Sequence, residues 1–227
     1  MKQSSPETLQ MVLVWDWPIR LFHWLLVANL VFLITTGNVG GDWIIWHIRS
    51  AYILSGLILF RILWGVFGSY YARFHQFVVS PFKSFSHLMS LIKGNPSKHY
   101  GHNPAGAVMV IVLLVALLSQ FLAGTVISDD IMWYGPFYSW VSESLSSLGT
   151  RIHYQMEIVL IVLAAVHILA VMYHQFVLKE KLVQAMLHGK KEKEANEPRT
   201  VSFNPIVLIV IVLFCVAWVV WLWSLPV

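Results

Sequence analysis

Charged residues and cysteines are both scarce in this chain of 227 residues. Asp, Glu, Lys and Arg together make up 11% of the sequence, whereas 58% of it is hydrophobic. A typical soluble domain has about 25% charged residues, so the composition excludes a soluble globular domain. The single cysteine, Cys215, lies inside the last apolar segment, which excludes a disulfide scaffold and a thiolate metal site.

Sequence signals of several other protein classes are also absent. No small-residue cleavage site follows the first apolar run, so we expect that run to be retained as a transmembrane helix rather than removed as a signal peptide. The sequence has no glycine-rich phosphate loop, no Ser–His–Asp order and no repeat of solenoid period. Its basic residues lie beside the apolar segments, where anionic membrane lipid accounts for them, and nucleic acid is excluded as a partner.

Five apolar segments are long enough to cross a bilayer, which takes about 20 residues of helix. They lie at about residues 19–39, 43–67, 104–127, 152–178 and 205–225. We therefore expect an all-α integral membrane protein. The run KKEKEANEPR predicts a charged cytoplasmic linker at residues 191–204, followed by a fifth transmembrane helix within residues 205–227.

The distribution of charge in the loops predicts the orientation in the membrane. Residues 68–103 contain four basic residues and no acidic one, whereas residues 128–150 contain Asp129, Asp130 and Glu143 and no basic one. By the positive-inside rule, the N-terminus, the 68–103 loop and the lysine-rich residues 179–199 face the cytoplasm. We therefore expect a multi-pass protein of the bacterial inner membrane with its C-terminus in the periplasm.

The basic loop contains a segment with helical periodicity, SPFKSFSHLMSLIKG, at residues 80–94. Its apolar residues recur at helical spacing, with Lys and Ser between them. This pattern predicts a short amphipathic helix on the inner leaflet.

Two histidines, His153 and His167, stand in the otherwise apolar fourth segment. They are 14 residues apart, which places them on one face of a helix and about 21 Å apart along its axis. With the orientation above, His47 in the second segment lies at the depth of His153, and His23 in the first lies at the depth of His167. This pairing predicts two haems stacked across the bilayer. We call His47 and His153 the outer pair, and His23 and His167 the inner pair.

Nearby small and basic residues are consistent with two haems. Gly37 follows His23 by 14 residues and is expected at the depth of the outer haem, where it would leave room for the macrocycle. Arg61 is expected at the depth of the inner haem, where a propionate would satisfy its charge. Arg49 and Arg151 each lie two residues from an outer histidine and could serve the propionates of the outer haem.

Other interpretations of these polar residues stay open. A single intramembrane histidine can simply be hydrogen-bonded in the protein. His174 lies on nearly the same helix face as His167, but it is disfavoured as a ligand, because about 31 Å of helix between it and His153 would spread the haems over the whole bilayer thickness. Zinc or copper is disfavoured, because about 21 Å of helix separates the two pairs. His102 before the third segment can serve helix entry, a propionate or a proton path to quinone. Glu157 is equally suited to proton exchange and to a structural hydrogen bond. The remaining histidines are expected on the cytoplasmic surface: His75, His87, His99 and His188.

Four motifs together resemble those of the bacterial cytochrome b561 family. They are RLFHW, WHIRSAYILSG with FRILWG, GHNPAG and IHYQMEIVLIVLAAVH, and the resemblance covers about residues 12–190. The family includes superoxide oxidase and the cytochrome b subunits of membrane-bound nickel–iron hydrogenase. The resemblance implies a four-helix transmembrane domain over residues 1–190 that binds two haems b through His23, His47, His153 and His167. It does not cover the fifth helix, which we expect to be peripheral and to face lipid or a partner.

A haem iron with two histidine ligands has no open axial position and is suited to one-electron transfer. The expected function is therefore electron transfer between the quinone pool and a periplasmic redox partner such as a c-type cytochrome. The acidic outer loop would attract a basic docking patch, although the positive-inside rule alone accounts for its charge. The alternative is a superoxide oxidase that delivers electrons to quinone, with Arg49 and Arg151 forming a local positive pocket.

Overall fold

The computed structural model describes residues 10–78, 100–128, 132–192 and 201–226, together with the single positions 80, 82, 86 and 89. Within these residues, five helices are long and apolar enough to cross a membrane. The helices are α1 (Trp17–Val39), α2 (Ile44–Phe67), α3 (Phe74–Phe77), α4 (Pro104–Gly124), α5 (Glu143–Phe176), α6 (Leu182–His188) and α7 (Pro205–Trp223), and the strands are β1 (Met11–Leu13) and β2 (Lys190–Glu192). The predicted all-α membrane fold is confirmed.

Four of the long helices begin and end within a few residues of the predicted spans. The exception is α5, which begins at Glu143 and not near residue 152. Ser142 caps this helix by accepting a hydrogen bond from the Leu145 amide, at 3.4 Å. Hydropathy identifies only the part of a helix that lies in lipid, and so it missed the first nine residues of α5, which are mostly polar. The predicted amphipathic segment at residues 80–94 lies largely outside the described residues.

The three helices that start on the predicted cytoplasmic side share one kind of N-terminus. An Asp or Asn side chain accepts a hydrogen bond from a first-turn amide: Asp16 from Ile19 at 2.7 Å, Asn103 from Gly106 at 2.7 Å and Asn204 from Ile206 at 2.9 Å. A proline stands in the first turn of each helix, where its missing N–H costs nothing. These caps fix where α1, α4 and α7 begin.

The first four long helices pack as two pairs, α1 with α2 and α4 with α5, and the pairs contact each other mainly through α2 and α4. The side chains between the pairs are aliphatic and buried: Leu33, Leu54, Ile58, Ala116, Leu117 and Leu160. Within each pair, the two helices are connected at their ends on the predicted periplasmic side, by residues 40–43 between α1 and α2 and by residues 125–142 between α4 and α5.

A small two-stranded sheet that the sequence did not predict joins the N-terminus to the chain after α6. Strands β1 and β2 pair antiparallel, with Val12 opposite Lys191. The amides of Val14 and Trp15 both donate to the carbonyl oxygen of Gly189, at 2.7 and 3.0 Å. Residues 190–192 therefore belong to this clasp rather than to a free linker. The pairing places the N-terminus and the end of the fourth span on the same side, as the predicted orientation requires.

The fifth long helix, α7, packs along α2. A Cβ atom at Gly56 would lie 2.5 Å from a methyl group of Val219, so the glycine allows the two helices to approach closely. The indole N–H of Trp218 donates to the hydroxyl of Ser55 at 3.0 Å. Most other residues of α7 are exposed, and membrane lipid is expected to cover them. Helix α7 thus lies outside the four-helix arrangement and is attached to it along one face.

Candidate functional site

His47 of α2 and His153 of α5 face each other between the two helix pairs. Their ring centres are 6.1 Å apart and their ring planes are inclined by 78°. Two imidazoles that share one metal ion have ring centres about 6 Å apart, because each metal–nitrogen bond is about 2 Å long and each nitrogen is about 1 Å from its ring centre. The outer pair therefore fits a shared iron ion.

Each imidazole of the outer pair is oriented by a backbone carbonyl of the neighbouring helix. Nδ1 of His47 donates to the carbonyl of Leu33 at 2.9 Å, and Nδ1 of His153 donates to the carbonyl of Gln120 at 3.1 Å. A carbonyl can only accept, so the proton is on Nδ1 and Nε2 keeps its lone pair. Histidine metal ligands are commonly fixed in this way by their second ring nitrogen.

A glycine follows each of these carbonyls by four residues and makes room for the ring. A Cβ atom at Gly37 would lie 3.0 Å from Nδ1 of His47, and one at Gly124 would lie 3.0 Å from Cε1 of His153. Gly37 lines the cavity described below. A Cβ atom at this position would meet the His47 ring first, and not the open space that was expected for the macrocycle. Gly124 was missed from the sequence, although its spacing from Gln120 repeats that of Gly37 from Leu33.

The outer pair lines a cavity of about 300 Å³ that reaches from all four helices to residues 127–128 and 133–136 of the connection between α4 and α5. Among the described residues that line this cavity, none is a lysine or an arginine. Glu157 lies in its wall and accepts a hydrogen bond from the side-chain amide of Asn38 at 3.0 Å. This contact with α1 supplies a structural hydrogen bond to Glu157.

Two polar atoms on the cavity wall have no hydrogen-bond partner among the residues that the structure describes. They are the hydroxyl of Tyr52 and the side-chain oxygen of Gln120. The Tyr52 residue is only 2% exposed. A buried polar group without a partner costs free energy, so these atoms indicate that a polar ligand group belongs in the cavity.

The inner pair, His23 of α1 and His167 of α5, is close enough for the two imidazoles to interact electrostatically. Nδ1 of His23 is buried and has no partner within the described part of the chain. The structure thus brings the predicted inner residues to one region, without a direct contact between them.

Arg61 is buried beside the predicted cytoplasmic end of α2. The residue is 4% exposed, and its Nη1 donates to the carbonyl of Ala72 at 3.1 Å, while the guanidinium lies 4.5 Å from the ring centre of Phe74. Its Nη2 is buried and lacks a partner among the described residues. This free N–H is suited to a carboxylate, which agrees with the propionate role predicted from the sequence.

His102 lies near Arg61 and does not cap a helix, because Asn103 performs that task. Its ring is 4.7 Å from the ring centre of Trp15 and 4.5 Å from that of Phe77. Burial, and then the positive charge of Arg61, lowers the pKa of His102 to about 3. The imidazole is therefore neutral at pH 7, with a buried Nδ1 that has no partner in the described structure.

Several other predicted residues lie away from the cavity. The guanidinium of Arg49 is 5.4 Å from the Trp46 ring centre and 5.2 Å from that of Trp223. Arg151 is exposed, and neither arginine lines the outer cavity, because both side chains point away from the space between the helix pairs. Nδ1 of His174 is 3.2 Å from Glu180, which gives this histidine a structural partner. His75 and His188 are exposed as expected; His87 and His99 lie outside the described residues.

Sequence reasoning missed Asp16, which is buried at the start of α1. Besides capping α1, its carboxylate accepts hydrogen bonds from the Trp64 indole at 3.0 Å and from the Ser69 hydroxyl. These bonds tie the start of α1 to the end of α2 next to the inner pair. The string WDWP contains the signal, an Asp two residues before a proline at a helix start.

Comparison with known proteins gives a consistent result. The family described as prokaryotic cytochrome b561 matches residues 14–189. Three relatives are each described as a probable Ni/Fe-hydrogenase B-type cytochrome subunit. The relative from Cupriavidus necator is 22% identical, over 82% of this chain and 89% of its own length. The values for Rhizobium leguminosarum bv. viciae are 22%, 80% and 89%, and those for Azotobacter vinelandii are 23%, 82% and 91%.

Proposed function

This chain belongs to the prokaryotic cytochrome b561 family, and from that membership we propose that it is a dihaem cytochrome b that carries electrons between the quinone pool and a redox protein at the predicted periplasmic face. Membership makes it a b-type cytochrome of electron transport with a membrane-embedded helical bundle. The number of haems, their ligands and both electron carriers are parts of the proposal.

The outer pair is the observation that carries this proposal. Two histidines from different helices have ring centres 6.1 Å apart, and each ring has Nδ1 bonded to a backbone carbonyl. Haem b, when bound there, supplies one-electron redox chemistry. His47 and His153 would both hold the iron of this haem, and the group would then supply one-electron transfer rather than binding of oxygen or a substrate.

The inner pair supplies the second proposed site. His153 and His167 lie on the same helix, 14 residues apart, which corresponds to about 21 Å. Two sites at that spacing span most of a hydrocarbon core of about 30 Å. Arg61 offers a free N–H to a haem propionate at the inner site. His102 offers a neutral imidazole to a propionate or to a quinone carbonyl, and we therefore assign quinone exchange to this side.

The names of the relatives suggest the class of partner. Each of the three is described as a B-type cytochrome subunit of a Ni/Fe hydrogenase, so a hydrogenase joins the c-type cytochrome as a proposed electron donor. Superoxide oxidation has no support from these relatives, and the cavity that holds the outer pair has no described cation to attract the superoxide anion.

The ligand set is tested by haem stoichiometry. The purified full-length protein should contain two haems per chain with a low-spin reduced spectrum. His47→Ala and His153→Ala should each reduce the ratio to about one by removing the outer haem, and His23→Ala and His167→Ala should each do so by removing the inner haem. His174→Ala is the matched control and should keep both haems, since His174 pairs with Glu180. A ratio that stays near two in the first four variants would refute the ligand set.

The partner class is tested separately by affinity purification of the detergent-solubilised protein from its native host. A c-type partner should retain covalently bound haem on a denaturing gel, whereas a hydrogenase should bring nickel into the purified complex. Recovery of the dihaem protein with neither signal, under conditions that preserve membrane complexes, would contradict both proposed partners.

A further inference from the structure

We propose that the outer haem enters and leaves its cavity between α1 and α5, from the surrounding lipid. A hydrogen bond between the side chains of Asn38 and Glu157 holds this route closed, and we call it the Asn38–Glu157 bridge. The inference rests on the proposed function, because it requires a haem at the outer pair. It adds two residues that retain the cofactor without being its ligands.

The wall of the outer cavity is buried on one side and exposed on the other. On α2 and α4, the lining residues include Tyr52, Leu54 and Phe121, which are all buried. On α1 and α5, they include Asn38, which is exposed, and Tyr154, whose exposed fraction is 66%. Because these two residues both line the cavity and reach the surface, one layer of side chains separates the cavity from lipid there.

The packing of the helices differs in the same way. Helix α1 packs along α2, α4 packs along α5, and the two pairs meet mainly through α2 and α4; among the described helices, α1 and α5 do not form a closely packed pair. Leu33 of α1 and Leu160 of α5 belong to the buried aliphatic cluster between the pairs. The Asn38–Glu157 bridge joins the two helices on the predicted periplasmic side of that cluster, at the level of the outer pair.

The predicted periplasmic end of the cavity is a less favourable route. There the amide of Gly135 donates to the carbonyl of Ile127 at 2.8 Å, and the amide of Phe137 donates to the carbonyl of Thr125 at 2.9 Å. A Cβ atom at Gly135 would lie 2.5 Å from the carbonyl carbon of Thr125, so this segment packs tightly against the end of α4. Opening this end would break backbone hydrogen bonds, whereas opening between α1 and α5 breaks a bond between side chains.

The geometry of the Asn38–Glu157 bridge suits a contact that opens and closes. Nδ2 of Asn38 donates to the carbonyl of Ile34 at 2.9 Å and to Oε1 of Glu157 at 3.0 Å, so the bond within α1 orients the amide toward α5. Unpaired polar side chains in a membrane are costly, which favours the closed state. Hydrogen bonds between membrane helices are nevertheless weak, and one such bond shifts an equilibrium by about 3-fold on average and about 20-fold at most.

Haem transfer to apomyoglobin tests the inference. The purified full-length protein in its ferric state is mixed with excess apomyoglobin, and the change in Soret absorbance gives the rate of haem loss. The His153→Ala protein, which keeps only the inner haem by the proposed function, identifies the kinetic phase of the inner site. Asn38→Leu and Glu157→Leu should each accelerate the outer phase by about 3- to 20-fold and leave the inner phase unchanged. The double variant should add nothing further, because both changes remove the same bond.

Two matched variants serve as controls. Glu157→Gln keeps a side-chain oxygen that can accept from Asn38, so its outer phase should stay close to that of the wild type. Thr35→Leu replaces an exposed polar residue of α1 that bonds the Val31 carbonyl of its own helix and does not line the cavity, and it should also behave as the wild type. If a leucine variant does not fold, Asn38→Ala removes the same donor without adding bulk.

A cross-link tests the route itself. In the double variant Asn38→Cys and Glu157→Cys, a short bifunctional thiol reagent joins α1 to α5, and the native Cys215 is buried. Before cross-linking, the outer haem should be lost faster than from the wild type, because the bridge is absent. After cross-linking, it should be lost more slowly than from the wild type, because the two helices can no longer separate.

The outcomes separate this inference from the proposed function. A wild-type protein with fewer than two haems would refute the proposed function itself. An outer phase that the leucine variants do not accelerate, or that the cross-link does not slow, would overturn this inference alone. Equal acceleration by Glu157→Gln and Glu157→Leu would also overturn it, because the charge of Glu157 and not the hydrogen bond would then retain the haem.

Discussion

Each histidine ring of the outer pair is held by the same three-part arrangement, which occurs once between α1 and α2 and once between α4 and α5. A carbonyl on one helix accepts a hydrogen bond from Nδ1, a glycine four residues later leaves space for the ring, and the histidine comes from the next helix. On α1 and α2 the parts are Leu33, Gly37 and His47, and α4 and α5 repeat them. At the scale of single residues, Gly37 and Gly124 are therefore as much a part of this site as the two histidine ligands.

The Gly124→Ala variant tests this arrangement without touching a ligand. The added Cβ would lie 3.0 Å from Cε1 of His153, which forces the ring to move, and overpacking of this kind costs typically about 1–3 kcal/mol. We expect a partial loss of the outer haem, so that the ratio of haem to protein falls from two toward one. The ratio is measured from the pyridine haemochrome spectrum of the purified protein.

The control is Gly106→Ala, in the first turn of the same helix. The added Cβ would lie 3.2 Å from Oδ1 of Asn103, so the variant crowds the cap of α4 but contacts neither histidine of the outer pair. This variant should keep both haems. Equal losses in the two variants would show that a general disturbance of α4, and not the contact with His153, is the cause.

The four candidate ligands could be chosen from the sequence, because their depth and helix face follow from spacing along each segment. Their hydrogen-bond acceptors could not, since the carbonyls of Leu33 and Gln120 are backbone atoms that look alike at every position. Arg49 was assigned a propionate role from its spacing alone. The Arg49 guanidinium instead contacts the rings of Trp46 and Trp223. Trp223 lies on α7, and residue spacing along α2 does not predict where α7 packs.

At the scale of secondary-structure elements, α7 braces the bundle on the side of α2. Leu222 is fully buried in a cluster with Tyr52 and Phe121, and the Trp221 ring centre is 6.3 Å from that of Phe137 in the outer loop. The helix contributes none of the four candidate ligands. Its contacts instead support the wall of the outer cavity from behind.

Removal of α7 by truncation before Asn204 should therefore leave two haems per chain and lower the temperature of thermal unfolding. A milder version is Gly56→Val, which would clash with Val219 and loosen the same interface. Leu213→Ala, at a 63% exposed position on α7, is the control and should leave the unfolding temperature unchanged. Loss of the inner haem on truncation would show that α7 is part of the haem-binding core.

The long helices were predictable from the sequence because each needs only a run of apolar residues. The β1–β2 clasp was not, since two strands of three residues separated by the whole four-helix domain carry no local signal. The mostly polar start of α5, residues 143–151, was missed for a related reason. Its stability depends on the Ser142 cap and not on lipid.

At the scale of the whole molecule, the two candidate sites lie toward opposite faces of the bundle, and the function depends on which face is which. The structure places the β1–β2 clasp on one face and the start of α5 at Glu143 on the other. The assignment of the first face to the cytoplasm comes from charge alone.

Single-cysteine labelling tests this assignment. Cys215 is buried in α7, so the wild-type protein should give little background with a membrane-impermeant maleimide. Glu143→Cys and His188→Cys introduce exposed thiols on the two faces. In intact spheroplasts, we expect Glu143→Cys to be labelled, because it lies on the predicted periplasmic face, and His188→Cys to be labelled only after lysis. The reverse labelling pattern would show that the protein has the opposite orientation in the membrane. The outer pair would then exchange electrons with a cytoplasmic partner.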